Sequence, residues 1–187
     1  DPAVVRSYGD LITGDKNALL IAARLYGYGE IYDIEVTTPS GELQKVAVDL
    51  NNLTAREIED ESIFKNENRF SFTLPRSGDK IEFKFLTVSD DKAISDKLKK
   101  SKPIGGRDPQ LTERLSRMIL SAGGNDDPMF IRLFTESMLA VDSRAFREYV
   151  AKIQPNVNME IEVVDEATSE PFRTPVALGS SFFWPEL

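Results

Sequence analysis

Alternation of apolar and polar positions predicts three pairs of β-strands along the chain. Successive side chains of a strand point to opposite faces of a sheet, so a strand with one buried face is apolar at every second position. The alternating positions are Tyr32, Ile34 and Val36 with Val46, Val48 and Leu50; Phe70, Phe72 and Leu74 with Ile81, Phe83 and Phe85; and Met159, Ile161 and Val163 with Phe172, Thr174, Val176 and Leu178. A short polar segment of the kind that forms turns separates the members of each pair. We therefore predict three antiparallel β-hairpins.

Apolar residues spaced three or four positions apart predict helices between these hairpins. The first helix opens near Asp15, a candidate N-cap, and runs through Leu25. It is apolar around most of its surface, which is typical of a buried helix, and we expect Gly27 and Gly29 to end it. A lysine-rich helix is expected over residues 89–100. Three more helices have apolar stripes at Leu111, Leu115, Met118, Ile119 and Ala122; at Phe130, Leu133, Phe134 and Met138; and at Phe146, Tyr149, Val150 and Ile153.

The order of these elements predicts the fold class and a division of the chain. Helix, hairpin, hairpin, helices and hairpin make an α+β protein rather than a doubly wound sheet, in which strands and helices alternate. We expect an N-terminal region of helix, two hairpins and basic helix over residues 1–101. A hinge or linker follows over residues 102–108, and a helical region with the C-terminal hairpin and an aromatic tail occupies residues 109–187. The sequence leaves open whether these regions form one compact domain.

Composition excludes several classes of function. The chain has 187 residues, of which 23 are basic and 31 acidic, and its net charge of −8 argues against general affinity for nucleic acid or for an anionic membrane. It contains no Cys and no His, so it cannot build a disulfide, a zinc ribbon, a thiol nucleophile or a Ser-His-Asp triad. No apolar run approaches the roughly 20 residues that span a bilayer. We expect a protein made in a reducing cytoplasm.

Acidic clusters are the remaining candidates for catalysis or metal binding, and their positions favour a structural role. Adjacent acids occur at Asp90-Asp91, Asp126-Asp127 and Glu59-Asp60-Glu61, each at a predicted helix end, where acids favour the helix dipole or cap the helix. The run Asn125-Asp126-Asp127 lacks the ligand spacing of a calcium loop. The run Gly105-Gly106-Arg107-Asp108 lacks the Gly-Lys-Ser/Thr ending of a phosphate-binding loop. We therefore predict no catalytic residue, no metal site and no cofactor.

The tail Phe182-Phe183-Trp184 is the candidate partner-binding site. Aromatic side chains dominate the contacts that bind one protein to another, and a position near the end of the chain would allow these three to dock into a neighbouring subunit. The alternative is that the tail folds back on the core of its own chain. The sequence leaves both alternatives open.

An ordered set of motifs resembles one family of proteins. The motifs are Asn17-Ala18-Leu19-Leu20, Tyr28-Gly29-Glu30, Ile34-Glu35-Val36, Phe72-Thr73-Leu74-Pro75-Arg76-Ser77-Gly78-Asp79-Lys80-Ile81-Glu82-Phe83, Asp142-Ser143-Arg144-Ala145-Phe146-Arg147-Glu148-Tyr149 and Phe182-Phe183-Trp184-Pro185. In this order, from about Asp15 to the C-terminus, they resemble the baseplate hub and hub-assembly family of T-even-type contractile phage tails.

The resemblance implies a non-enzymatic structural component of a phage tail baseplate, in its hub or wedge. Such a protein works through contacts with other tail and baseplate proteins in a multi-subunit assembly, is assembled in the host cytoplasm and is located in the virion. One alternative is a baseplate assembly chaperone that is absent from the finished particle. A further alternative is a carboxylate-dependent hydrolase, which needs two acids facing one cleft at roughly 5–10 Å.

The chain departs from this family at two hairpin tips. Many members carry Cys-x-x-Cys knuckles at the tips of the first and last hairpins, where they look able to share a zinc ion. Here the tips are Val36–Gly41 and Val164–Pro171, and neither contains Cys. The first and last hairpins remain candidates for adjacent positions, and if they adjoin, ordinary packing and strand pairing must hold them.

We expect a chelator to leave the melting temperature unchanged, because without Cys or His the two tips have no thiolate or imidazole for a zinc ion. Thermal unfolding with EDTA, compared with the same concentration of zinc-saturated EDTA, measures this. A large drop with free EDTA alone would show that a metal ion joins the tips.

Overall fold

The computed structural model describes residues 7–56, 58, 68–100 and 109–183. Within these ranges the fold is α+β, as predicted, with five α-helices and seven strands in antiparallel sheets. In chain order the elements are α1 (Thr13–Tyr28), β1 (Ile31–Thr37), β2 (Leu43–Asp49), β3 (Phe70–Thr73), β4 (Lys80–Phe83), α2 (Val88–Lys100), α3 (Pro109–Met118), β5 (Ile119–Ala122), α4 (Pro128–Ser137), α5 (Ala140–Ile153), β6 (Glu160–Val164) and β7 (Pro171–Pro175).

The chain divides into two compact units, which differ from the division expected from the sequence. Unit 1 comprises residues 1–16 and 58–154, and unit 2 comprises residues 17–57 and 155–187. The expected hinge over 102–108 lies outside the described residues, so its role stays a prediction. The elements on either side of it belong to the same unit, because Ile81 of β4 pairs with Ala122 of β5 across that segment.

Aromatic residues of the second hairpin form the centre of the core of unit 1. Phe70 pairs with Phe83 and Phe72 with Ile81, which is the hairpin that the sequence predicts. The ring of Phe83 meets Phe146 of α5 edge-on, with centroids 5.0 Å apart, and both side chains are fully buried. The ring of Phe72 stacks on Tyr149 at 4.6 Å. The apolar stripe of α5 therefore packs directly on this sheet.

The third strand of this sheet corrects the sequence prediction. The apolar spacing predicts a helix that continues to Ala122, whereas α3 ends at Met118 and residues 119–122 form β5. An unpaired β4 would expose a row of backbone N–H and C=O groups, and pairing with β5 satisfies them. The second predicted hairpin is therefore two strands of a three-stranded sheet, in the order β3-β4-β5.

Unit 2 contains the first and last hairpins, both of which form as predicted. Tyr32 pairs with Val48 in the β1–β2 hairpin, and Val163 pairs with Phe172 in the β6–β7 hairpin. The core of this unit is built from buried residues of both segments of the chain: Ile21, Tyr32, Val48, Leu50, Val157, Val176 and Phe182. Residues 17–57 and 155–183 therefore share one hydrophobic core.

The first helix differs from its prediction in bounds and in burial. It begins at Thr13, so Asp15 lies in its first turn rather than at the N-cap, and it includes Gly27. Gly29 follows its end with φ of +90°, a left-handed backbone conformation that Gly adopts without strain. The helix is not buried all round, because Tyr26 is 95% exposed. The hairpins of unit 2 cover only the stripe that contains Ile21.

Asp142 connects two of the motifs that carry the family resemblance, the segment from Phe72 to Phe83 and the segment from Asp142 to Tyr149. This fully buried residue is the third of α5, where an acid also complements the helix dipole. Its two carboxylate oxygens accept hydrogen bonds from the backbone N–H groups of Arg76 and Ser77, at 2.7 and 3.0 Å. Asp142 thus fixes the loop between β3 and β4 against α5.

We expect the substitution Asp142→Asn to lower the free energy of unfolding by about 2 kcal/mol, because an amide offers only one acceptor oxygen where the fully buried carboxylate accepts from two backbone N–H groups. Urea unfolding followed by circular dichroism measures the loss. The matched control is Asp126→Asn at an exposed position, which should change stability by less than about 0.5 kcal/mol. Equal losses in the two variants would contradict this role for Asp142.

Candidate functional site

The acids at helix ends cap those helices, as the sequence predicts. Thr87 and Asp90 exchange backbone-to-side-chain hydrogen bonds at the start of α2, and the Asp90 carboxylate also lies 2.6 Å from Nζ of Lys84. Burial opposes ionisation of Asp90, but the hydrogen bonds from Lys84 and Thr87 outweigh it and hold its pKa below the ordinary value. Asp127 is the N-cap of α4 and accepts from the N–H of Phe130 at 2.8 Å.

Two polar residues beside these caps, Asp91 and Asn125, are also engaged in structural contacts. Asp91 accepts hydrogen bonds from Thr13 and from Arg114, and the side chain of Asn125 accepts from the N–H of Asp127. Within the described ranges, no group of three or more acidic, His or Cys side chains could hold a metal ion. The clusters at residues 59–61 and 105–108 lie outside those ranges. The acids at the ends of α2 and α4 therefore give no sign of a catalytic or metal centre.

The aromatic tail folds back on its own unit at two of its three residues. Phe182 is fully buried, and its ring meets Tyr32 edge-on with centroids 4.9 Å apart. Phe183 is partly buried and lies edge-on to Phe182. Trp184 lies outside the described residues. The fold-back alternative thus holds for Phe182 and Phe183, and a partner could reach Phe182 only if it left the core. Docking by the tail stays a prediction.

Arg24 explains why Phe182 is held inside. Its guanidinium is buried, donates to the carbonyl oxygen of Phe182 at 2.7 Å and lies over the rings of Tyr28, Tyr32 and Phe182. A buried charge needs acceptors and polarisable neighbours, and the C-terminal segment supplies both. Sequence reasoning missed Arg24, although a single charge within the apolar run of α1 was a usable signal.

The tips of the first and last hairpins adjoin around a buried carboxylate. Asp165 is 1% exposed and accepts from the N–H of Ser40, at 3.2 Å, and from the N–H of Ala167, at 2.9 Å. Beside it, the Gln44 side chain donates to the carbonyl oxygen of Val164. This polar network corrects the expectation that packing and strand pairing alone hold the tips together.

The same contacts set the protonation of Asp165. Burial alone would raise its pKa, but the hydrogen bonds from Ala167, Ser40 and Thr168 outweigh burial and hold the pKa below the ordinary value of 3.8. The folded protein therefore favours the ionised form of this carboxyl, which acts as a structural acceptor.

A groove of about 710 Å³ runs along β1. Residues 32–37 of β1 line one side, and residues in the range 174–181 line the other. Asp33 and Glu35 border it, and Glu35 lies 3.8 Å from Lys45. Asp33 and Glu35 are two positions apart in a strand and therefore point the same way, and the described residues of the opposite lining include no acid. The described part of the groove therefore does not place carboxylates on both sides of a bound glycosidic bond, as hydrolysis by a carboxylate pair requires.

Helix α4 of unit 1 exposes apolar side chains. It buries Ile131 and Thr135 toward the core, yet Met129 is 65% exposed and Leu133 57% exposed. The ring of Phe130, also on the exposed side, stacks on Phe134 at 6.2 Å. We call Met129, Phe130 and Leu133 the α4 face. These neighbouring exposed apolar side chains make the α4 face a candidate surface for contact with another molecule.

Comparison with protein-family models, with curated proteins and with solved structures found no match to this chain. The resemblance to the baseplate family therefore stays a prediction from the motifs alone. No described helix is both long and apolar enough to cross a membrane.

We expect Asp165→Asn to lower the melting temperature at neutral pH, because the amide removes one acceptor from the junction of the tips. A group whose pKa is depressed on folding stabilises the folded state above its ordinary pKa, and this contribution is lost as pH falls through the folded-state pKa. The wild type should therefore lose this stabilisation below about pH 4, and the variant should show a flatter acid dependence there.

The matched control is Glu166→Gln, which neutralises the exposed neighbouring acid. Thermal unfolding of the wild type and of both variants, measured from neutral pH to below about pH 4, gives the comparison. A wild type and an Asp165→Asn variant with the same melting temperature and the same acid dependence would rule out this role for Asp165.

Proposed function

We propose that this protein is a non-enzymatic structural component of a phage tail baseplate, in its hub or wedge, and that it works through protein–protein contacts. The observation that carries the contact role is the α4 face, where Met129 and Leu133 are more than half exposed. The ordered motifs from Asn17 to Pro185 support the baseplate as the assembly in which it serves. In this proposal it is assembled in the host cytoplasm and stays in the virion.

The physical properties of the chain suit such a role. Full burial of a large apolar side chain stabilises a complex by about 1.5–3 kcal/mol, so three partly exposed side chains of the α4 face can contribute roughly 3 kcal/mol. The net charge of −8 keeps the free protein soluble until it meets its partners. An apolar contact face on a protein with net negative charge is suited to association at a defined surface.

The assembly-chaperone alternative differs from the proposal in whether the protein remains in the finished phage particle. An assembly chaperone would be abundant in infected cells and absent from finished particles. A structural component would be present in purified phage particles at a fixed ratio to the sheath or tube protein. Quantitative mass spectrometry of both samples decides between them, and absence from purified particles would overturn the structural role.

We expect the double substitution Met129→Ser with Leu133→Ser to reduce incorporation into particles about tenfold, because it removes apolar surface that a partner would bury. Both side chains are exposed, so the melting temperature of the isolated protein should stay within a few degrees of the wild type. Mass spectrometry of particles produced with the variant gene measures incorporation.

The matched control is Arg132→Ser with Glu136→Ser on the same helix. These exposed residues form an i, i+4 ion pair, whose loss costs only about 0.3–0.5 kcal/mol. The control should be incorporated like the wild type. Equal incorporation of both double variants would refute the α4 face as the contact surface.

A further inference from the structure

We propose that the outer edge of β1 in unit 2 binds an extended segment of another protein, with basic side chains at every second position. The segment would add to the sheet as a new strand beside β1. The inference does not depend on the baseplate role, since it concerns the backbone and charges of β1 and holds for any partner with this chemistry.

The backbone N–H and C=O groups of β1 point alternately toward β2 and away from it. Two bonds flank its pairing with β2: the N–H of Leu50 donates to the carbonyl oxygen of Glu30, and the N–H of Thr38 donates to that of Glu42, each at 2.9 Å. Bonded pairs recur at every second residue of an antiparallel ladder, and the register between these two bonds is unbroken. The even-numbered residues of β1 therefore bond to β2, and the odd-numbered ones point outward.

The outward groups are available for a new strand. Ile31, at the start of this edge, already uses its carbonyl oxygen to accept from Arg24. Within the part of the chain that the structure describes, no backbone hydrogen bond outside the ladder involves Asp33, Glu35 or Thr37. These three residues present N–H and C=O groups along one edge, as a template for strand addition.

The groove along β1 gives that strand a place to lie. Six consecutive residues of β1 line it, so the groove borders the edge of the strand rather than one of its faces. At about 3.3 Å per residue, six residues span about 20 Å. A segment of five to six residues in extended conformation therefore matches the length of this edge.

Strand β7, whose residues line the other side of the groove, cannot supply the missing partner strand. Its bonded register is fixed by the N–H of Asp165 donating to Glu170 and that of Val176 donating to Met159. By the same alternation, Pro171 and Pro175 fall at outward positions, where proline has no N–H to donate. The edge of β7 is therefore blocked, whereas no described residue covers the edge of β1 from Asp33 to Thr37.

The charges on β1 specify the occupant. Asp33 and Glu35 are exposed on the solvent face of the strand, and residues of an added strand would lie directly opposite them, at cross-strand pair distance. Asp33 stands opposite Ala47 in β2, so no charge across the ladder compensates it, whereas Glu35 stands opposite Lys45, whose Nζ lies 3.8 Å from its carboxylate. A second copy of β1 would bring acid against acid, whereas lysine or arginine at alternate positions gives attractive pairs. The charges favour a basic segment from a different protein.

The experiment uses a blocked seven-residue peptide in which lysine and valine alternate, with a fluorescent label, titrated with the whole protein. The control peptide replaces each lysine by glutamate. We expect saturable binding of the lysine peptide alone, with the protein remaining monomeric without peptide. No saturable binding, equal binding of both peptides, or self-association through β1 would each overturn the proposal.

Reversing the charges of Asp33 and Glu35 tests whether these two residues bind the peptide. Asp33→Lys with Glu35→Lys should weaken binding about tenfold, because two attractive cross-strand pairs become repulsive. The matched control is Glu160→Lys with Glu162→Lys, which reverses two acids at the same spacing on β6, away from the groove. It should bind within about twofold of the wild type, and an equal loss in both would show a general charge effect instead.

Hydrogen exchange of the wild-type protein provides a test that needs no variant. Bound peptide should slow exchange of the amides of Asp33, Glu35 and Thr37, which gain hydrogen bonds to the added strand. The amides of Tyr32, Ile34 and Val36 already bond to β2 and should change less. Binding that leaves the three odd-numbered amides unprotected would place the peptide elsewhere and refute the proposal.

Discussion

The buried guanidinium of Arg24 is the constraint on which unit 2 depends. A charge removed from water must find acceptors, and Arg24 finds the carbonyl oxygen of Phe182, 158 positions later in the chain. The aromatic rings around it add favourable cation–π contacts. This contact draws the C-terminal segment into the core and so positions the lining of the groove opposite β1. Phe182 and Phe183, two of the three aromatic residues of the tail, are therefore already packed within their own chain.

In each unit, a buried carboxylate accepts hydrogen bonds from backbone N–H groups and so joins segments that are distant in sequence. In unit 1, Asp142 holds the loop at Arg76 and Ser77, and in unit 2, Asp165 holds the turn at Ser40, 125 positions away in sequence. Ionised acceptors make stronger hydrogen bonds than neutral ones, and a turn presents several N–H groups to one carboxylate. A chain without Cys or His obtains by this means some of the cross-linking that a disulfide or a zinc ion provides elsewhere.

The fold was predictable from sequence where a local pattern determines the structure. The two hairpins of unit 2 follow from strict alternation at positions such as Tyr32 and Val48, and the helix cap at Asp127 follows from an acid placed before proline. Strand β5 was not predictable, because four residues from Ile119 continue the helical spacing of α3 and become a strand only by pairing with β4. The partners of Arg24 and Asp165 were not predictable for the same reason, since Phe182 and Ser40 lie 158 and 125 positions away in sequence. The open edge of β1 likewise depends on register, which alternation alone does not specify.

The α4 face and the edge of β1 differ in the physics by which each would recognise a partner. The α4 face offers apolar side chains, whose burial is non-directional and is not weakened by the screening of charges in salt. The edge of β1 offers directed backbone groups beside Asp33 and Glu35, so its selectivity comes from strand register and from charge, and salt screens the charge term within about 10 Å at 0.1 M ionic strength. One patch of a partner cannot satisfy both sets of requirements. A protein that uses both surfaces therefore joins two different structural elements, which is what a component within a larger assembly must do.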